Sequence, residues 1–161
     1  MSMSAHYLAI TAGQLDALRA LAVRVEELIF DPDAEPRTLD IDKSWEAIPF
    51  VLKRASGRSE GGFADLILGA QEVGADLGMG PACYLTQAQV RHVAHELLAF
   101  SDERFAAAFS PPELDAAKVY PRIWVRDGQD GLDYLLAHFR HLRAFFADAA
   151  AGDQAMLVYL I

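Results

Sequence analysis

The stretch LDYLLAHFRHLRAFFADAAAG (132–152), followed after two residues by AMLVYLI (155–161), decides the fold. Leu132, Leu135, Leu136, Phe139, Leu142, Phe146 and Ala149 recur at helical spacing, which predicts one continuous apolar stripe, and Gly152 is suited to cap the helix. Met156–Ile161 is apolar and rich in residues that favour extended backbone, so both faces of this strand are expected to be covered. It is placed inside a small sheet, with His6–Ile10 as candidate neighbour.

Earlier segments read outward from that frame. Thr11 with Gln14 forms a capping box ahead of a helix that carries Leu15, Leu18, Leu21 or Ala22, Val25 and Leu28 to near Phe30, where Asp31-Pro32-Asp33 ends it. Ile41, Trp45, Ile48 and Leu52 repeat at helical spacing, and Pro49 is predicted to kink or restart that helix. Residues 55–62 and 74–81 read as glycine-bearing surface loops, while Leu66–Leu68 is too short to assign. Cys83–Leu85 reads as a short strand or an extended lead-in to the second capping box, Thr86 with Gln89. The helix after it should run to about Phe100 and bury Val90, Val93, Leu97 and Phe100 or Leu98. Ser101 and Ser110 look like two further helix starts. Helices predominate and no βαβ alternation occurs, so the fold class is α+β, with residues 1–161 as a single helix-rich domain whose small sheet includes the last strand.

The sequence carries 14 basic and 23 acidic residues, a formal charge of −9, which disfavours nucleic acid and anionic membrane surfaces as partners. The one cysteine, Cys83, allows no internal disulfide, and the start of the chain shows no basic and apolar leader, so a reducing, cytoplasmic compartment is expected. The run 155–161 falls far short of the roughly 20 apolar residues that a membrane-spanning helix needs, so a soluble protein is expected.

The segments LDIDKSW (39–45), GPACYLT (80–86), YPRIW (120–124), LDYLL (132–136) and VYL (158–160) resemble the YfbM-like family, domain of unknown function 1877. The resemblance runs from the region of Met3 and Tyr7 to the last strand. It implies a compact α+β domain and brings no reaction, cofactor or catalytic residue with it.

The residues themselves offer several chemistries. His92 with His95, and His138 with His141, could each place two imidazoles on one helix face, but both pairs fall off the apolar stripes and read as solvated, so no metal or cofactor is assigned. Cys83 reads as a small buried hydrophobe, no Gly-x-Ser-x-Gly elbow is present, and Gly78-Met79-Gly80-Pro81 reads as a turn, so no catalytic residue is assigned either. Trp45, Tyr84, Tyr120 and Trp124 could line a ligand cleft. Glu26 to Glu46 is densely acidic, and Asp31, Asp33, Glu35, Asp40, Asp42 and Glu46 are the candidate contacts to a basic protein partner. The expected function is therefore a non-enzymatic acidic protein-binding module, most sharply an immunity or inhibitor protein that neutralises a basic toxin. A small-molecule-binding protein or enzyme with an aromatic cleft, and a self-association module, are the alternatives.

Overall fold

The computed structural model describes residues 2–57 and 62–161, apart from the side chains of Glu35 and Pro36. Five strands, β1 (Ala5–Ile10), β2 (Thr38–Asp40), β3 (Gln71–Asp76), β4 (Pro81–Leu85) and β5 (Ala155–Leu160), form one antiparallel sheet in the order β2-β1-β5-β4-β3. The central pair β1–β5 runs in register from Ala5 opposite Leu160 to Ile10 opposite Ala155. Alternation sends Ala5, Tyr7, Ala9, Met156 and Val158 to one face, and Leu8, Ile10, Leu157 and Tyr159 to the other. Both faces of β5 are buried, as its unbroken apolar sequence requires. The class is α+β.

The thick helical layer covers the Tyr7 face. It comprises α3 (Ala47–Ser56), α4 (Phe63–Leu66), α5 (Gln87–Leu98), α6 (Asp102–Ala108), α7 (Pro111–Ala116), α8 (Trp124–Asp127) and α9 (Gln129–Ala151). Leu135, Phe139, Leu142, Phe146 and Ala149 of α9 are buried as the stripe predicts. Phe139 stacks on Phe105 with ring centroids 4.5 Å apart, and Phe146 meets Tyr7 edge-on at 5.9 Å. The Tyr7 hydroxyl, wholly buried, donates to the Ile67 carbonyl at 2.8 Å, so this phenol has a partner and burial keeps it protonated. A thinner layer, α1 (Ala12–Arg19), α2 (Val25–Ile29) and the turn around Ala34, covers the Leu8 face through Leu15, Leu18 and Val25.

Both capping boxes form, Thr11 with Gln14 and Thr86 with Gln89. Other expectations are corrected. The single helix from Thr11 to Phe30 is two helices: Leu21 turns left-handed (φ 58°), with Leu21 N–H to Leu18 O and Ala22 N–H to Ala17 O closing α1 in a Schellman motif. Glu27 then caps the Arg24 N–H and starts α2. Of the two outcomes expected at Pro49, the restart is the one found: a separate short turn spans Asp42–Ser44, α3 begins at Ala47, and Pro49 falls in its first turn, where its missing N–H costs nothing. Residues 55 and 56 belong to α3, Gly57 ends it left-handed, and 58–61 of the expected loop lie outside the described residues.

Residues 74–81 are a hairpin rather than a loop, with β3 reaching Asp76 and only 77–80 turning. Strand β3 is exposed along nearly all its length, so it lacks the apolar alternation by which a strand is read. Of Leu98 and Phe100, only Phe100 is buried. Gly152 caps α9, but the left-handed residue of that Schellman motif is Asp153 (φ 51°), with Gln154 N–H to Ala149 O at 2.9 Å. Ser110 precedes α7 without a side-chain cap.

Gly69 fixes how the α4–β3 connection meets the sheet. Its φ is +93°, and a Cβ there would stand 2.3 Å from the Cys83 Cβ. Gly69→Ala is expected to lower unfolding stability by about 2–4 kcal/mol, whereas Gly78→Ala, left-handed but in open space, should cost about 1 kcal/mol. Urea denaturation of the two variants measures the difference, and equal losses would remove the Gly69–Cys83 contact as a constraint.

Candidate functional site

Two regions concentrate polar or unusual side chains. The first is a hydrogen-bonded corner where β2 and the turn after it meet α9. Asp42 adopts a left-handed conformation (φ 49°), which a short polar side chain tolerates. Its carboxylate accepts the Ser4 hydroxyl at 3.2 Å and the Tyr134 hydroxyl at 2.9 Å, and the Tyr134 oxygen accepts the Lys43 N–H at 3.0 Å. Burial would raise the Asp42 pKa, but hydrogen bonds from Tyr134, the Lys43 backbone and Ser4 outweigh it and hold the carboxyl below its usual range. Burial first, and Asp42 second, push the Tyr134 phenol well above its usual range. His138 packs edge-on to Tyr134 at 4.7 Å, and its Nδ1 is buried without a hydrogen-bond partner. Burial lowers its pKa against the opposing charge of Asp42, so the ring is neutral.

Beside this corner the Glu46 carboxylate accepts the Tyr120 N–H at 2.6 Å, the Tyr120 hydroxyl accepts the Met3 N–H at 3.0 Å, and the Trp45 indole donates to the Met3 carbonyl at 3.2 Å. Trp45 and Tyr120 therefore come together, with ring centroids 5.8 Å apart. The other two aromatics do not join them. Trp124 is fully buried and donates to the Val119 carbonyl, and Tyr84 lies on the opposite face of the sheet, bonded to Gln71. Cys83 opens on a small recess of about 100 Å3 with Trp45, Met79 and Val158. Burial, then the charge of Glu72, raise its pKa, so the thiol keeps its proton.

The acidic candidates divide in the same way. Asp42 and Glu46 are committed to internal donors. Asp40 is exposed, accepts the Asp42 N–H at 2.7 Å and lies 3.9 Å from His6. Asp31 accepts the Asp33 N–H at 2.9 Å and pairs with Arg37 at 3.8 Å, while Asp33 is exposed. The Glu35 side chain lies outside the described residues. His92, His95 and His141 are exposed, and among the described residues no three His, Cys, Asp or Glu side chains converge as a metal site.

The second region went unread in the sequence. Leu21, left-handed at the end of α1, is 85% exposed, and Phe30, closing α2, is 73% exposed. Between the α1–α2 turn and β3 runs a groove of about 380 Å3 lined by Leu18, Leu21, Val25 and Val73, with Arg24 and Glu26 supplying charge. Gly74 lets the strand approach, since a Cβ there would stand 2.6 Å from Val25. The one signal available was Phe30 followed by Asp31-Pro32-Asp33, an aromatic at a helix end. Nothing in Ala20-Leu21-Ala22 announces a left-handed residue.

Residues 1–159 match the family described as Domain of unknown function (DUF1877). The chain belongs to that family. The crystal structure of YfbM from Escherichia coli, a protein of unknown function, shares the DUF1877 chain's fold with a TM-score of 0.72, at 16% identity over 98% of this chain and 99% of that one. No curated protein matches the chain. Among the described residues no helix is long and apolar enough to cross a membrane.

The corner makes a prediction about pH. Asp42, held below its usual pKa, contributes stability that is present above about pH 4 and is lost as pH falls through its folded value. His138, also lowered, contributes stability present above about pH 6.5 and lost on acidification below it, since the unfolded chain then binds the proton more readily. Tyr134→Phe should cost about 1–2 kcal/mol at pH 7, and His138→Gln should flatten the loss between about pH 7 and 5. Urea midpoints measured across pH for the variants and the parent check both, and parallel curves for His138→Gln and parent would remove His138 from the acid response.

Proposed function

We propose that this protein is a non-enzymatic acidic module that binds a basic protein partner, with an immunity or inhibitor protein as its sharpest form, and that contact is made on the layer formed by α1, α2 and the turn after it. The supporting observation is Leu21. A left-handed leucine costs about 1–2 kcal/mol where glycine would close the same Schellman motif without strain, and this one is 85% exposed, so its side chain contributes nothing to the core. A strained cap position occupied by an exposed leucine, next to an apolar groove, fits a surface that another molecule covers. Phe30, the apolar groove and the carboxylates of Glu26, Glu27, Asp31 and Asp33 share that layer, giving an apolar centre with a charged surround, as protein interfaces have.

An enzymatic reading draws less support. Cys83 and Tyr134 are held protonated, and the aromatics that would line a cleft are divided between two faces and the core. Asp42 and Glu46 also leave the interface in this reading, because their oxygens already satisfy internal donors.

The test pairs two variants with affinity capture from the native cell extract. Replacing Glu26, Glu27, Asp31 and Asp33 by their amides keeps the capping acceptors but removes charge, so a stoichiometric basic partner recovered by the parent should associate at least about tenfold more slowly and with a flatter salt dependence. Leu21→Gly should stabilise the isolated protein by about 1 kcal/mol while weakening the same complex. A partner bound equally by parent and both variants would place the interface elsewhere, and capture of no protein by the parent would remove the binding reading.

A further inference from the structure

The two edges of the sheet are unlike. Strand β2 has three residues and lies under α9, whereas β3 has six, pairs with β4 alone, and receives no backbone hydrogen bond on its outer edge from any element among the described residues. An open edge of this length is a template for another strand. Here the template borders the apolar groove, because Val73 and Ala75 of β3 line it together with Leu18, Leu21 and Val25. A strand added beside β3 at about 4.8 Å would direct alternate side chains over that groove. Its other side chains would follow Glu72, which faces the opposite side of the sheet opposite Cys83.

Charge selects the occupant. Glu72 and Asp76 are the ionisable groups of β3, and Glu26 and Glu27 stand on the neighbouring α2, against Arg24, which is already paired with Glu27 at 3.4 Å. Antiparallel pairing of two copies along the regular segment Gln71–Val73, centred on Glu72, would set Glu72 against Glu72 of the other copy, a like-charge pair directly across the ladder, which is destabilising. A strand that alternates apolar and basic side chains instead sets a cation against Glu72 and an apolar side chain beside Val73. Building on the binding reading above, we infer that β3 and its groove accept an extended segment of the partner by strand addition, with apolar residues over Leu21 and Val73 and lysine or arginine beside Glu72. The regular register ends at a bulge between Val73 and Asp76, so the added strand pairs chiefly along Gln71–Val73.

The probe is an acetylated octapeptide of alternating lysine and valine, titrated into the isotopically labelled protein and followed by amide shifts and amide hydrogen exchange. Saturable shifts and slowed exchange at Gln71–Asp76, with side-chain shifts at Leu21, are expected. They should be lost with a glutamate–valine peptide, lost when alternate backbone nitrogens of the lysine peptide are methylated, and transferred to the glutamate peptide by Glu72→Lys. Absence of any shift with the lysine peptide overturns the inference, as does equal binding of the methylated peptide, which would mean charge attraction without strand pairing. A concentration-dependent dimer that protects β3 without peptide would put a second copy on the edge and overturn the cationic occupant. The binding reading itself stands or falls on the captured partner and the α2 carboxylate variants, so strand addition can fail while that reading survives.

Discussion

The antiparallel pairing of β1 with β5 is the constraint on which the other elements depend. These two strands carry apolar side chains on both faces, so neither layer can be omitted: the helical layer must cover Tyr7, Ala9, Met156 and Val158, and the thinner one must cover Leu8, Ile10, Leu157 and Tyr159. A buried Val, Leu or Phe side chain contributes about 1.5–3 kcal/mol, and the strand pair holds seven such large or medium positions only while both layers are in place. The long stripe of α9 and the short α1 are answers to the same two-faced strand.

Elements whose signal is local were legible. The capping boxes at Thr11 and Thr86 satisfy helix donors within four residues, and the α9 stripe repeats for five turns, so neither needs knowledge of the rest of the chain. The failures have physical causes. Leu21 leaves the helix by a left-handed turn that only bonds to Ala17 and Leu18 reveal, and β3 hides because an exposed edge strand has no buried face to pattern its sequence. Pro49 is harmless for a positional reason, its place in a first turn, which depends on where the helix starts rather than on the proline.

The candidate site was legible in composition and illegible in arrangement. The acidic window was plain, but Asp42 and Glu46 reach Tyr134 and Tyr120 across 92 and 74 residues of sequence, and no spacing rule distinguishes a carboxylate that holds the fold from one that faces solvent. Burial and hydrogen bonding separate them: the later part of the window closes the corner under Met3, and the earlier part stays outside beside Leu21 and Phe30. Sequence charge therefore overstated the size of the acidic surface while missing its apolar component.

The position of β5 has a kinetic consequence. It follows every other strand in sequence yet lies at the middle of the sheet, between β1 and β4. Until it arrives, β1 has only the three-residue β2 beside it and β4 only the exposed β3, so the two half-sheets have no connection through hydrogen bonds. Closing the sheet joins residues about as distant along the chain as this length permits, and such non-local pairings are slow to form. Before that moment the apolar faces of β1 and β4 are open to other chains, so insertion of β5 is the step that ends their exposure to aggregation.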